Sequence, residues 1–289
     1  MKRYFVMPYL ITLLLASVYG VYAFFANDWE FAWLGLTLSC LPMLLFIIRL
    51  GISGKARTRE HLYSELLVGA VFALAVWVSG HKDLAGLVFL LSVVGVYLYD
   101  FWYSDLSRVL SPRLGKGEIL PDLRFTTIDG EDFHTKNAVD RPAIFMFIRG
   151  NWCPLCVAQV HEIAQSYRRL EDMGASVFVI SPQAQEQSQK LAADLNAPLT
   201  LLTDKDGESA KKLGVWQYGG VPAGVVGYDV DTNWPTVIVT MPKGKIIYSA
   251  QYSNYRVRPE PDQFIEVLEK YLDDGADVSN DTKVAPSAE

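Results

Sequence analysis

Two cysteines spaced by two residues, in Cys153-Pro154-Leu155-Cys156, are the side chains of this sequence best suited to chemistry. Sulfurs at that spacing either make and break a disulfide or supply half of a zinc site. Zinc would need two more ligands, but no second such pair exists and His134 and His161 stand in no ligand pattern. No metal and no cofactor is therefore expected. The only other cysteine is Cys40, too few for a disulfide-stapled scaffold. In a dithiol cycle Cys153 would be the nucleophile. Cys156, less than a helical turn further on, would be the resolving thiol that attacks the mixed disulfide.

The pair needs a strand end and a helix start to position it. Residues 143–148 are a short apolar run suited to a buried strand, and residues 154–173 carry a helical apolar face (Val157, Val160, Ile163, Ala164, Tyr167, Leu170). Cys153 then falls at the N-cap and Pro154 at the first helical position, where a missing N–H costs nothing. Free amide groups and the helix dipole would face the Cys153 sulfur and favour its thiolate. Arg149 either stabilises a nearby anion or is a solvated charge after a strand, and Trp152 is placed to shield the sulfur and offer a contact surface. Trp234-Pro235-Thr236, just before another strand, makes Pro235 the expected cis-proline, with Pro222 and Pro198 competing for that reading on sequence alone.

Around this centre, strands are expected at 176–180, 199–202, 236–240 and 245–249, with helices at 184–195, 210–213 and 261–272. Strand–helix–strand units followed by a hairpin and a closing helix predict an α/β domain with a mixed central sheet flanked by helices. It should occupy residues 117–272, preceded by a juxtamembrane linker at 104–116 and followed by a disordered acidic tail at 273–289.

Residues 1–103 differ in kind. Half of the 289-residue chain is hydrophobic, and the apolar residues concentrate here in four runs, at 4–25, 31–48, 62–79 and 84–102. Each approaches the ~20 residues that a bilayer core requires, so a four-helix transmembrane region is expected. Lys2 and Arg3, then Arg49, Lys55, Arg57 and Arg59, then Arg108, Arg113 and Lys116 would lie on one side, with only Lys82 opposite. That asymmetry predicts a multi-pass protein of the cell membrane with both termini and the α/β domain in the cytoplasm. The net charge of −6 argues against a nucleic-acid partner. A membrane-protein partner is compatible with the four helices.

The segment Arg149-Gly150-Asn151-Trp152-Cys153-Pro154-Leu155-Cys156, Trp234-Pro235-Thr236 and the order of elements resemble the thioredoxin-like superfamily. Within it, the chain is similar to redoxins with alkyl hydroperoxide reductase/thiol-specific antioxidant domains, in a peroxiredoxin-like branch with an Arg-Gly-x-Trp-Cys-Pro-x-Cys motif. Arg256-Val257-Arg258-Pro259-Glu260 also resembles that branch's arginine–proline segment before the last helix. The resemblance implies an antioxidant, membrane-anchored thiol–disulfide oxidoreductase that reduces protein disulfides or hydroperoxides and takes electrons from a thiol donor. Two positions depart from the pattern. Peroxiredoxins carry Thr or Ser three residues before the reactive cysteine and Pro seven before it, where this chain has Gly150 and Met146. Thioredoxins carry a buried acid where this chain has Phe147. The alternative is a membrane-tethered redox sensor or binding module on the same scaffold.

Overall fold

The computed structural model describes residues 1–195 and 197–273; the acidic tail expected at 273–289 lies, beyond Asp273, outside the described residues. The chain divides into two compact units. One comprises Met1–Gly54, Thr58–Leu106 and Pro222–Val226. The other comprises Lys55–Arg57, Ser107–Val221 and the residues from Gly227 onward.

The first unit is helical. Its helices are α1 (Val6–Ala26), α2 (Phe31–Ile52), α3 (Tyr63–Val78) and α4 (Lys82–Tyr103). Three of them, with α1 extended back to Lys2, are long and apolar enough to cross a membrane. The expected third span, α3, has 16 residues and is the short one. Small residues let the helices approach: a Cβ on Gly20 would lie 2.5 Å from Thr37 Oγ1, and one on Gly95 would meet the Tyr9 ring. Leu13, Leu36, Cys40, Met43 and Val88 fill the interior, so Cys40 is a packing residue. Leu15, Val18, Leu67 and Leu74 point outward, an apolar exterior that water would not favour. Two stretches of α4, Leu90–Val94 and Leu98–Tyr103, are wound as π-helix. The wider winding leaves carbonyls for other donors, and Leu91 O accepts the Tyr9 hydroxyl at 3.0 Å. Asp100 is buried and accepts the Leu62 N–H at 2.8 Å, so it caps α3.

The second unit is a mixed sheet flanked by helices. In chain order its elements are β1 (Arg124–Thr127), β2 (Asp132–His134), β3 (Ala143–Phe147), α5 (Pro154–Gln165), α6 (Tyr167–Asp172), β4 (Ser176–Ser181), α7 (Gln185–Ala193), β5 (Thr200–Thr203), α8 (Glu208–Leu213), β6 (Trp216–Gln217), β7 (Thr232–Asn233), β8 (Thr236–Thr240), β9 (Ile246–Ala250) and α9 (Pro261–Asp273). The seven-stranded sheet runs β2-β1-β5-β4-β3-β8-β9. β3, β4 and β5 are parallel; β8 joins β3 antiparallel, in the register Phe145↔Ile238. β6 and β7 form a separate two-stranded ribbon.

Central β3 is apolar at every position because both its faces are covered. Alternation sends Ala143, Phe145 and Phe147 into one core layer with Phe178, Leu202, Ile238 and Leu213. The helix expected over 154–173 is interrupted at Ser166, which leaves helical geometry and separates α5 from α6. Ser107–Leu114 packs into this unit, with Arg108, Ser111 and Leu114 buried.

Candidate active site

β3 ends at Phe147, and the next residues turn sharply into α5. Ile148 is still held as strand by its N–H to Ile180 O. Gly150 then takes a φ of 135°. A side chain would not fit there: a Cβ would lie 3.0 Å from the Trp152 ring and 3.1 Å from Gln183 Oε1. Gln183 also holds the turn, accepting the Asn151 N–H at 2.9 Å and donating to Asn151 Oδ1 at 3.0 Å. From β7, Thr232 donates to Arg149 O at 2.6 Å and Asn233 to Ile148 O at 3.2 Å.

This frame brings the two sulfurs together. Cys153 is the N-cap of α5 with Pro154 at its start, as the sequence implies, and Cys156 lies in the first turn. Both are free thiols, and both are buried, Cys153 at 2% and Cys156 at 0% exposure. The two thiols act on one another's charge. The Arg149 main-chain N–H donates to Cys156 Sγ at 3.4 Å and Arg258 Nη2 to the same sulfur at 3.6 Å. Arg258 is itself fixed by Tyr255 O (2.8 Å, from Nε) and Gln159 Oε1 (3.3 Å, from Nη1).

The electrostatics of the pair follow from burial and from its neighbours. Cys153 makes no side-chain capping bond to the helix amides. Its hydrogen bond to Cys156, its burial and the Cys156 charge push it well above the ordinary thiol value, against the pull of Arg258 and Arg149. Burial alone would raise Cys156 as well. The Cys153 hydrogen bond, the Arg258 charge and the Arg149 N–H outweigh that and bring it down to about 5. Arg258 and the Arg149 N–H therefore favour a thiolate at this buried pair, on the Cys156 side. The donors are a cation and a strand-end amide, not the helix terminus.

Of the other expected site residues, Arg149 is buried and stacks on Trp152 (4.6 Å) and Tyr255 (5.3 Å), with Nη2 donating to Gly220 O. Trp152 is half-buried and covers the approach to the turn. The Trp234–Pro235 peptide is trans, and among the described residues no peptide bond is cis. The expected cis-proline is thus not formed. Trp234 spends its N–H on Val215 O and Pro235 gives its carbonyl to Arg108 at 2.9 Å, which carries the chain from β7 into β8 without a reversal. Arg258, Gln159, Gln183 and Arg108 belong to the site's surroundings without having been singled out for it; only Arg258 had a signal, in the arginine–proline segment.

Comparison with known proteins adds a family to this geometry. Residues 117–249 match the AhpC/TSA family. They form an AhpC/TSA-family domain. Among curated proteins, this domain is similar to putative peroxiredoxin bcp of Helicobacter pylori, 24% identical over 98 residues, which are 34% of this chain and 64% of that protein. Peroxiredoxin Bcp of Bacillus subtilis is 24% identical over 101 residues, 35% of this chain and 64% of that one. The chain thus spans somewhat less than two thirds of the length of these relatives. Among solved structures, peroxidoxin BcpB from Mycobacterium tuberculosis superposes with a TM-score of 0.46 at 17% identity, covering 54% of this chain and 97% of that one. The thioredoxin-like arrangement of the AhpC/TSA domain, with the Cys153–Cys156 turn at the end of a central strand, is carried by the sheet order and by that turn.

Proposed function

We propose that the chain is a membrane-anchored thiol-dependent oxidoreductase that reduces hydroperoxides through Cys153 and Cys156. The observation that carries this reading is the pair of buried sulfurs beneath Arg258 and the Arg149 N–H. Cys156 serves as the base: it takes the Cys153 proton, so the attacking thiolate forms only when substrate arrives. Cys153 sulfur attacks one peroxide oxygen; the S–O bond forms as the O–O bond breaks, and the leaving alkoxide takes the proton back from Cys156, which returns to the thiolate. Cys156 then attacks the resulting sulfenic acid, forming the disulfide and expelling the oxygen as water or hydroxide. The balance is dithiol plus hydroperoxide giving disulfide, alcohol and water. A thiol donor would return two electrons by exchange at the more exposed sulfur, Cys153.

Burial of both sulfurs favours a small oxidant over a protein disulfide, which needs a sulfur accessible to a chain. The basic residues preceding α1, between α2 and α3, and following α4 support an anchor with the catalytic domain on the cytoplasmic side. The test is to mix the reduced full chain, in detergent, with cumene hydroperoxide and separately with insulin, and to follow oxidation of the pair. Hydroperoxide should oxidise it faster. Turnover of neither substrate, with both cysteines intact, would remove the enzyme reading.

A further inference from the structure

Three guanidinium groups lie buried at or near the sulfurs: Arg108, Arg149 and Arg258, each at most 7% exposed. None is ion-paired to a carboxylate; their partners are carbonyl, amide and hydroxyl oxygens, aromatic rings and the Cys156 sulfur. Arg149 and Arg258 both act on the cysteine pair, and Arg108 feels Arg258: burial and that repulsion lower it to about 9. Buried charge without an opposite partner is costly, so an arrangement of this kind calls for anions. The Cys156 thiolate supplies one negative charge against three positive ones.

Two donors beside Cys153 are also unspent. Arg149 Nε and Trp152 Nε1 are buried N–H groups with no acceptor. The guanidinium stacks 4.6 Å from the indole centre, so both groups belong to one patch, and Trp152 is the chain neighbour of Cys153. A carboxylate, with two oxygens in one plane, matches such a pair of N–H donors, and charge-assisted bonds to it are roughly twice as strong as neutral ones. The nearest acid on the loop that carries Gly220, Asp231, accepts the Gly219 N–H instead.

We propose that the site selects an anionic reactant, a small hydroperoxide or disulfide bearing a carboxylate a few bonds from the reacting atom, with Arg149 and the Trp152 indole N–H holding that carboxylate. This deepens the dithiol reading by naming the substrate class. Either reactant is a two-electron oxidant of the pair: a hydroperoxide gives the protein disulfide, an alcohol and water, as above, and a disulfide gives the protein disulfide and two thiols by exchange.

The test uses two alkylating reagents of equal size, iodoacetate and iodoacetamide, on the reduced full chain in detergent near neutral pH. Their rate ratio is divided by the same ratio for a free cysteine derivative. The expected normalised preference for iodoacetate is about tenfold at low salt. Arg149→Met should bring it close to one, and Trp152→Phe, which keeps the ring and removes the donor, should lower it about two- to threefold. A wild-type ratio of one or below, a preference unmoved by either substitution, or failure of both reagents to reach a sulfur would overturn the proposal. Alkylation needs no turnover, so an inactive peroxidase with a strong iodoacetate preference would sink only the proposed reaction. A ratio of one in an active peroxidase would sink only the anion preference.

Discussion

Replacing Arg258 by Met would remove the guanidinium 3.6 Å from Cys156 Sγ while leaving the Arg149 N–H in place. With the anion on Cys156 at about 5, the wild-type pair stays charged from neutral pH down to that value and loses reactivity only below it. Arg258→Met should move the midpoint upward by roughly one to two units, each about 1.4 kcal/mol, in the pH dependence of thiol alkylation. An unmoved midpoint would show that the amide alone holds the charge. Gly150→Thr is the second expectation at this scale. It adds the hydroxyl residue that peroxiredoxins carry, yet φ is 135° and Trp152 and Gln183 crowd the new Cβ, so stability should fall by about 2 kcal/mol, read as a lower thermal midpoint of the full chain. The spacing of Cys153 and Cys156 was legible because it is local. Arg258 lies 102 residues from Cys156 and only the tertiary fold brings it there. The Arg149 contribution was illegible for another reason: a main-chain N–H makes the contact, and every residue but proline has one.

At the scale of elements, α8 shows how a short helix is fixed. Its amides at Ser209 and Ala210 donate to the two carboxylate oxygens of Asp204 at 3.0 and 2.8 Å. Burial raises that carboxyl to about 6, partly offset by the same two bonds. Asp204→Ala should therefore cost about 1–2 kcal/mol, the usual loss for a missing cap, again as a lower thermal midpoint. β3, β4, β5 and β8 were readable from sequence because buried strands are short runs of Val, Ile, Phe and Leu. β1 and β2 were not: with sequences RFTT and DFH they carry too few apolar residues to show a period. β6 and β7 have two residues each, below any pattern, although they hold the Arg149 turn from the far side. The break at Ser166 was hidden because the apolar face continues across it, to Leu170.

For the molecule as a whole, composition alone separated an apolar helical part from an α/β part, since lipid-facing and water-facing surfaces demand different residues. What composition could not measure was helix length: α3 stops at 16 residues, and the π-helical winding of α4 depends on contacts such as Tyr9 to Leu91 O that no hydropathy profile contains. The proposed orientation is checked by fusing a reporter to the C-terminus, which should read as cytoplasmic; a periplasmic signal would reverse the topology. The closeness of the two sulfurs bears on endurance. In the proposed cycle a sulfenic acid at Cys153 would form beside Cys156, within one helical turn, and would need no unwinding before capture, so its lifetime would be short. A second peroxide then rarely finds it, and the slide to sulfinic and sulfonic acid, which ends the working life of exposed cysteines, is cut off at its first step. The wild-type chain should thus survive an excess of oxidant that destroys a Cys156→Ser variant within a few turnovers, as intact-mass measurement of the added oxygens would reveal.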